Sequence, residues 1–249
     1  MQLVRWVYSN ESSPFQSLEH PTYVPTSSAE LLHNYTCGVV FTDTVKAGPV
    51  VAHKQAVQAA TVIPFEFSSD DILGLAFSAI NTVEPKKQKT FFDTVLPTLK
   101  KKDFGYIDDS KFKGKIAYTP VVSKSHWSMN VSSYAVSKVS FVNSKKHVGE
   151  VIVDSGTALV YLPDGVVNDY YSHVKGYKFE QGGSHTFPCN STIPDFHFKI
   201  DSTILSVLGR DVNYTVYDPA NRICVGAIAT QLNNKYSEDA TPKLGFASH

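Results

Sequence analysis

The sequence predicts a mainly β fold, and three observations carry that prediction. Short runs rich in Val, Ile, Phe and Tyr recur along the chain, each bounded by Gly, Pro, Asp or Ser: "GVVFTDTV", "GKIAYTPVV", "KVSFVNS", "EVIVDSG" and "FHFKID". The 249 residues include 15 Phe and 13 Tyr, side chains that suit a pleated, half-buried surface. Helical periodicity, by contrast, is confined to two places.

The first is "TFFDTVLPTLKK", where Pro97 argues against an undisturbed helix. In the second, Val166, Val167, Tyr170, Tyr171 and Val174 recur at helical spacing after Pro163, with Asp164 placed to cap. Between them lies the basic run Lys100 to Lys102, after which a new series of strands begins at "DFGYID". The chain is divided there, into 1–102 and 103–249. It shows no low-complexity tract and no solenoid-type repeat.

Charge excludes some functions. Lys+Arg and Asp+Glu balance at 23 each, so no overall field would hold nucleic acid or an acidic membrane face. The clusters Lys86-Lys87-Gln88-Lys89, Lys100-Lys101-Lys102 and Lys145-Lys146-His147 lack interleaved aromatics and read as solvated turns or helix ends. No stretch reaches the roughly 18 apolar residues of a membrane span, so no membrane partner is expected. The opening "MQLVRWVYSN" has no signal-type apolar region. Nine His residues are scattered without metal-ligand spacing, and no Walker or dinucleotide glycine loop occurs, so neither metal nor cofactor is expected. Asn10, Asn34, Asn130, Asn190 and Asn213 each head an Asn-x-Ser/Thr sequon, a pattern suited to an extracellular protein. Cys37, Cys189 and Cys224 permit one bridge and a leftover thiol.

The stretch that carries chemistry is "VIVDSGTALVYLP", 151–163. An apolar strand delivers the carboxylate of Asp154 into a tight turn. Gly156 lets the chain bend and offers an N–H, while the Ser155 and Thr157 hydroxyls can brace the anion. Taken alone, the tetrapeptide is equally an ordinary Asp-Ser-Gly β-turn.

With its flanks, the chain resembles the pepsin-like aspartic endopeptidases, most closely the fungal aspergillopepsin type. The segments that carry the resemblance stand in family order: "WVYSN", "KQAVQAA", "ILGLAFSAINTVEP", "TFFDTV", "DFGYIDDSKFKGKIAYTPV", "VIVDSGTALVYLP", "FPCNSTIPDFHFKI" and the terminal "PKLGFA". The resemblance implies a bilobal, pepsin-like acid protease fold. It also implies hydrolysis of protein or peptide substrates at acidic pH by a secreted monomer. Two Asp-Thr/Ser-Gly loops would share one proton across a cleft, because two carboxylates a few ångströms apart cannot both ionise. Asp154 corresponds to the second of these acids, with Gly156 and Thr157 as substrate-side neighbours. Cys189 and Cys224 stand where the family keeps its second-lobe disulfide, which needs an oxidising compartment. Cys37 is left to packing.

Three departures follow from the same comparison. The chain opens with a segment resembling what lies after the first catalytic loop, so the N-terminal lobe reads as truncated. No flap sequence precedes "FTDTV", and Tyr35 is no convincing replacement. The end, "CVGAIATQLNNKYSEDATPKLGFA", lacks the usual apolar-apolar-Gly-Asp bracing strand, and "VLGRDV" at 207–212 is a decoy. Asp43 and Asp93 are each followed by Thr but then by Val where the loop requires Gly, so both read as structural. With Asp154 alone, the chain is expected to be inactive or strongly impaired. The alternative is a peptide-binding or inhibitory pseudoprotease module.

Overall fold

Strands dominate the computed structural model, which describes residues 16–23, 37–62, 73–81, 83, 86–99, 108, 110, 116–137, 148–230 and 242–245. The chain forms two compact units, Met1–Gly114 and Lys115–His249.

In the first unit β1 (Gln16–Tyr23), β2 (Cys37–Ala47) and β3 (Val50–Val62) make an antiparallel sheet in that order. One face of the β2–β3 hairpin gathers Phe41, Val45, Ala52 and Val57 against Phe91 and Val95 of the short helix α1 (Phe91–Val95). The Thr90 hydroxyl caps α1 by accepting from the Asp93 N–H at 3.3 Å. The helix passes into a 3₁₀ turn, Leu96–Thr98, because Pro97 has no N–H to continue the ladder. Asp93 accepts from both the N–H (2.7 Å) and the hydroxyl of Ser78, and Asp43 accepts from the Thr44 N–H at 2.7 Å. Both carboxylates are thus engaged in local backbone structure.

The second unit contains β4 (Ser128–Val131), β5 (Ser133–Val136), β6 (Gly149–Asp154), β7 (Val160–Leu162), α2 (Asp164–Tyr171), β8 (Lys178–Phe179), β9 (His185–Pro188), β10 (Phe196–Ile200) and β11 (Thr203–Val207). After these come α3 (Gly209–Val212), β12 (Asn213–Asp218), β13 (Ile223–Gly226), β14 (Ile228–Thr230) and β15 (Lys243–Gly245). They form three sheets, ordered β11-β10-β5, β12-β13-β9-β8 and β14-β7-β15-β6-β4.

The helical spacing read after Pro163 is real. Val166, Val167, Tyr170, Tyr171 and Val174 are all buried in one core with Val151, Leu162, Phe187, Phe196 and Ile228. Burying two adjacent tyrosines requires partners for their hydroxyls. Tyr170 donates to the Pro194 carbonyl at 2.7 Å and Tyr171 to the Ile228 carbonyl at 2.6 Å. Burial pushes both phenols above their ordinary pKa, so they remain donors.

Two local expectations are corrected. Asp164 does not cap α2. Pro163 keeps extended backbone and takes the cap position, leaving Asp164 in the first turn, where its charge favours the positive end of the helix. The described part of "GKIAYTPVV", 116–122, is not a strand. No strand pairing forms there among the described residues, although the Val122 N–H donates to the Ser128 carbonyl at 3.0 Å; Pro120 removes a donor, and Tyr118 is 83% exposed. Outside the described residues lie "KVSFVNS", Tyr35, Asn10, Asn34, the Lys100 and Lys145 runs and the Cys37 side chain.

Two predictions follow from the aromatic core. A Cβ at Gly226 would lie 2.0 Å from the Tyr171 hydroxyl oxygen. Gly226→Ala therefore displaces a fully buried ring and breaks its bond to Ile228, and should cost about 2 to 4 kcal/mol in denaturant unfolding. His185, 2% exposed, stacks on Tyr171 with ring centroids 4.6 Å apart and pairs through Nδ1 with the Tyr177 hydroxyl at 3.0 Å. Its Nε2 is buried with no hydrogen-bond partner among the described residues. Burial lowers its pKa against a smaller opposing pull from Asp164. Below the ordinary value of 6.5 the unfolded chain binds a proton that the folded chain refuses. Stability should then fall with pH, by at most about 1.4 kcal/mol per pH unit from this group, until the depressed pKa is passed. His185→Phe should flatten that slope in melts across the window.

Candidate functional site

Asp154 ends β6, and its position follows from how that strand is flanked. β15 lies between β6 and β7, parallel to β6 and antiparallel to β7. Its register sets Lys243 beside Ile152, Leu244 beside Val153 and Gly245 beside Asp154. Side chains paired across a sheet share a face and alternate along each strand. Val131, Val151, Val160, Leu162, Ile228 and Leu244 accordingly point into the core. The opposite face carries Asn130, Glu150, Asp154, Tyr161 and Lys243, half-buried or exposed, together with Ser128 and Ile152, which are buried. In the strand Val-Ile-Val-Asp, alternation puts Asp154 with Ile152 on the face opposite Val151 and Val153.

The terminal "PKLGFA" supplies β15, which takes the place between β6 and β7. "VLGRDV" does not compete for it, since Leu208–Val212 turns the chain from β11 into β12.

The turn after β6 closes on the carboxylate. The Gly156 N–H donates to Oδ1 at 2.9 Å, the Thr157 hydroxyl donates to Oδ2 at 2.7 Å, and the Thr157 N–H donates to the Asp154 carbonyl at 3.2 Å. At 156 an added Cβ would approach Oδ1 to 3.2 Å and press on the carboxylate. Ser155 is exposed. The sequence reading missed the fourth member, Lys243, whose Nζ lies 3.6 Å from Oδ2. "PKLG" itself carries no signal of this, since the lysine reads as an ordinary surface residue beside a buried leucine. Partial burial works to raise the Asp154 pKa. The Thr157 hydroxyl, the Gly156 N–H and the Lys243 charge together outweigh it and hold the carboxyl below its ordinary value.

Cys189 and Cys224 are bonded, closing a loop with a sequence separation of 35. A chain-entropy account gives such a link about 3 to 4 kcal/mol. Among the sequons, Asn130 is exposed on the Asp154 face and Asn190 is exposed just after the bridge. Asn213 is half-buried, its Nδ2 at 3.5 Å from the Cys189 carbonyl. No group of three or more metal-ligating side chains occurs among the described residues, and no helix is long and apolar enough to cross a membrane.

A strand ending in Asp-Ser-Gly-Thr, with its carboxylate held by the turn and a third strand threaded beside it, defines a site of the aspartic-protease class. The comparisons place the chain within it. The family model "Eukaryotic aspartyl protease" matches residues 5–103 and 98–240, and the chain belongs to that family. It is 37% identical to Aspergillopepsin-1 of Aspergillus fumigatus, over 97% of this chain and 72% of that protein. It is 36% identical to Penicillopepsin-1 of Penicillium janthinellum, over 97% of this chain and 87% of that one. Both alignments run over 287 positions, more than the chain's 249 residues, so each relative has residues inside the matched span with no counterpart here. An aspartic proteinase from Irpex lacteus shares the fold, with TM-score 0.71 at 18% identity over 98% of this chain and 81% of that structure.

A depressed carboxyl pKa contributes stability above the unfolded value of 3.8 and loses it as pH falls through the folded pKa. Asp154→Asn should therefore melt below the parent at pH of about 5 to 7 and converge with it near pH 2. Parallel melts that never converge would show that the charge adds no stability.

Proposed function

We propose that this chain carries the chemistry of an aspartic endopeptidase, with Asp154 as one of the two acids between which water is activated, and that its 249 residues supply only that one. The observation that carries this reading is the Asp154 turn. Its carboxylate is rigidly held, ionised and presented on the outward face of a sheet whose other face is core. Gly156 and Thr157 serve by holding the acid and by forming the rim against which a substrate carbonyl would lie.

Peptide hydrolysis by a dyad needs one carboxylate to take a proton from water while the other gives one to the carbonyl oxygen. Among the described residues, the groups bonded to the Asp154 carboxylate are an N–H, a hydroxyl and an ammonium, and none is a second acid. An unpartnered, ionised Asp is a poor general acid, and losing one member of a cooperating unit can cost nearly the whole rate. The 249-residue chain by itself is therefore inactive or strongly impaired. The positions of the relatives that lack counterparts here fit a missing flap. A secreted protein is supported by the Cys189–Cys224 bridge and by relatives of this kind.

The test is hydrolysis of a denatured protein by the purified 249-residue chain across about pH 3 to 7, with Asp154→Asn alongside. The expected result is no cleavage that depends on Asp154. Cleavage abolished by Asp154→Asn would refute the one-acid reading. Saturable peptide binding without turnover would favour the peptide-binding module.

A further inference from the structure

The reading of Asp154 as one acid of a dyad leaves open which acid holds the shared proton, and the structure bears on that choice. We propose that Lys243 is a positioning residue that keeps Asp154 in the ionised, proton-accepting form, so that a second carboxylate brought to face it would be the one to carry the shared proton. This rests on the dyad reading and deepens it.

The strand register carries the argument. Lys243 is paired with Ile152 on one side and Tyr161 on the other, so its side chain shares the outward face with Asp154, two residues further along β6. A diagonal neighbour at that spacing is within reach of a long side chain. Lys243 cannot easily leave. β15 is hydrogen-bonded to β6 and to β7, and Leu244, 7% exposed, anchors it from the core side. The ion pair is partly shielded, with side-chain exposures of 37% for Lys243 and 29% for Asp154.

Among the described residues no other charge competes at this point. On β6 the nearest ionisable group of the same face is Glu150, which accepts from the Ser128 hydroxyl at 2.6 Å. On β7 it is the neutral phenol of Tyr161. The turn 155–159 and strands β4 and β14 contribute no charged side chain. The two remaining contacts to Asp154 are neutral donors, so Lys243 is the single cation paired with it among the described residues.

The consequence is an assignment of roles. Two carboxylates sharing one proton are interchangeable until a nearby charge separates them. An ammonium beside one favours the charged form there and sends the proton to the other. In the hydrolytic step a water proton would pass to Asp154 as the water oxygen bonds to the carbonyl carbon, and the second acid's proton would pass to the carbonyl oxygen.

The experiment is a carboxyl NMR titration of Asp154 in the 249-residue chain, which reads the charge directly and requires no hydrolysis. Failure of the protease reading would leave this titration intact. In Lys243→Met the midpoint should rise by about one pH unit, and Lys243→Arg should restore it. A purely structural lysine would leave the midpoint where it was, and an unchanged value in Lys243→Met overturns the proposal. If Lys243→Met does not fold, ionic strength decides instead. Raising salt to about 1 M should lift the wild-type midpoint by screening the half-exposed pair, and an unmoved midpoint overturns the assignment.

Discussion

The placement of β15 between β6 and β7 is the constraint on which the site depends. Strands that enter and leave a turn can splay apart, and the carboxylate at the end of β6 would then move with the frayed end. A third strand hydrogen-bonded to both removes that freedom, and it does so with three residues, Lys243–Gly245. Each has a separate task. Leu244 seats the strand in the core, Gly245 stands beside Asp154 without a side chain to crowd it, and Lys243 supplies charge on the outward face.

That division recurs through the second unit. Its stability resides in a core of α2, the sheet undersides and the disulfide, where tyrosine hydroxyls are paid for by carbonyl acceptors and glycine opens room for a ring. On the Asp154 face, Ile152 and Ser128 are buried while Asp154 and Lys243 stay partly exposed. A platform of this kind tolerates change on its outward face more readily than in its core, since surface substitutions seldom cost more than a few tenths of a kcal/mol.

Most of this was legible in the sequence. "VIVDSG" displays both its strand and its turn, and the tyrosine pair after Pro163 shows helical spacing because α2 buries a broad stripe. What was not legible depended on partners distant in the chain. "GKIAYTPVV" has a strand's composition, but no strand forms over 116–122 and Ile116, Tyr118, Val121 and Val122 stay exposed. Asp164 has a cap's chemistry, but Pro163 ahead of it was already extended and took the position. Lys243 looked like any surface lysine because nothing within "PKLG" reveals that β15 runs beside the strand ending in Asp154. Pairing across 89 residues is a property of topology, which local composition does not encode.

Acid conditions bring these features into conflict. The resemblance implies chemistry at acidic pH, yet two groups in the second unit oppose folding as protons are added. His185 acts from 6.5 downward, because its buried ring resists charging, and Asp154 acts only below 3.8, because its partners prefer the anion. The two losses begin at different pH, so below 6.5 and above 3.8 the imidazole penalty accrues while the carboxylate is intact. The Cys189–Cys224 link contains no titrating group, and its constraint on the unfolded chain is the same throughout. It offsets the His185 penalty over the range where Asp154 remains charged, which is also the range in which a carboxylate can accept a proton from water.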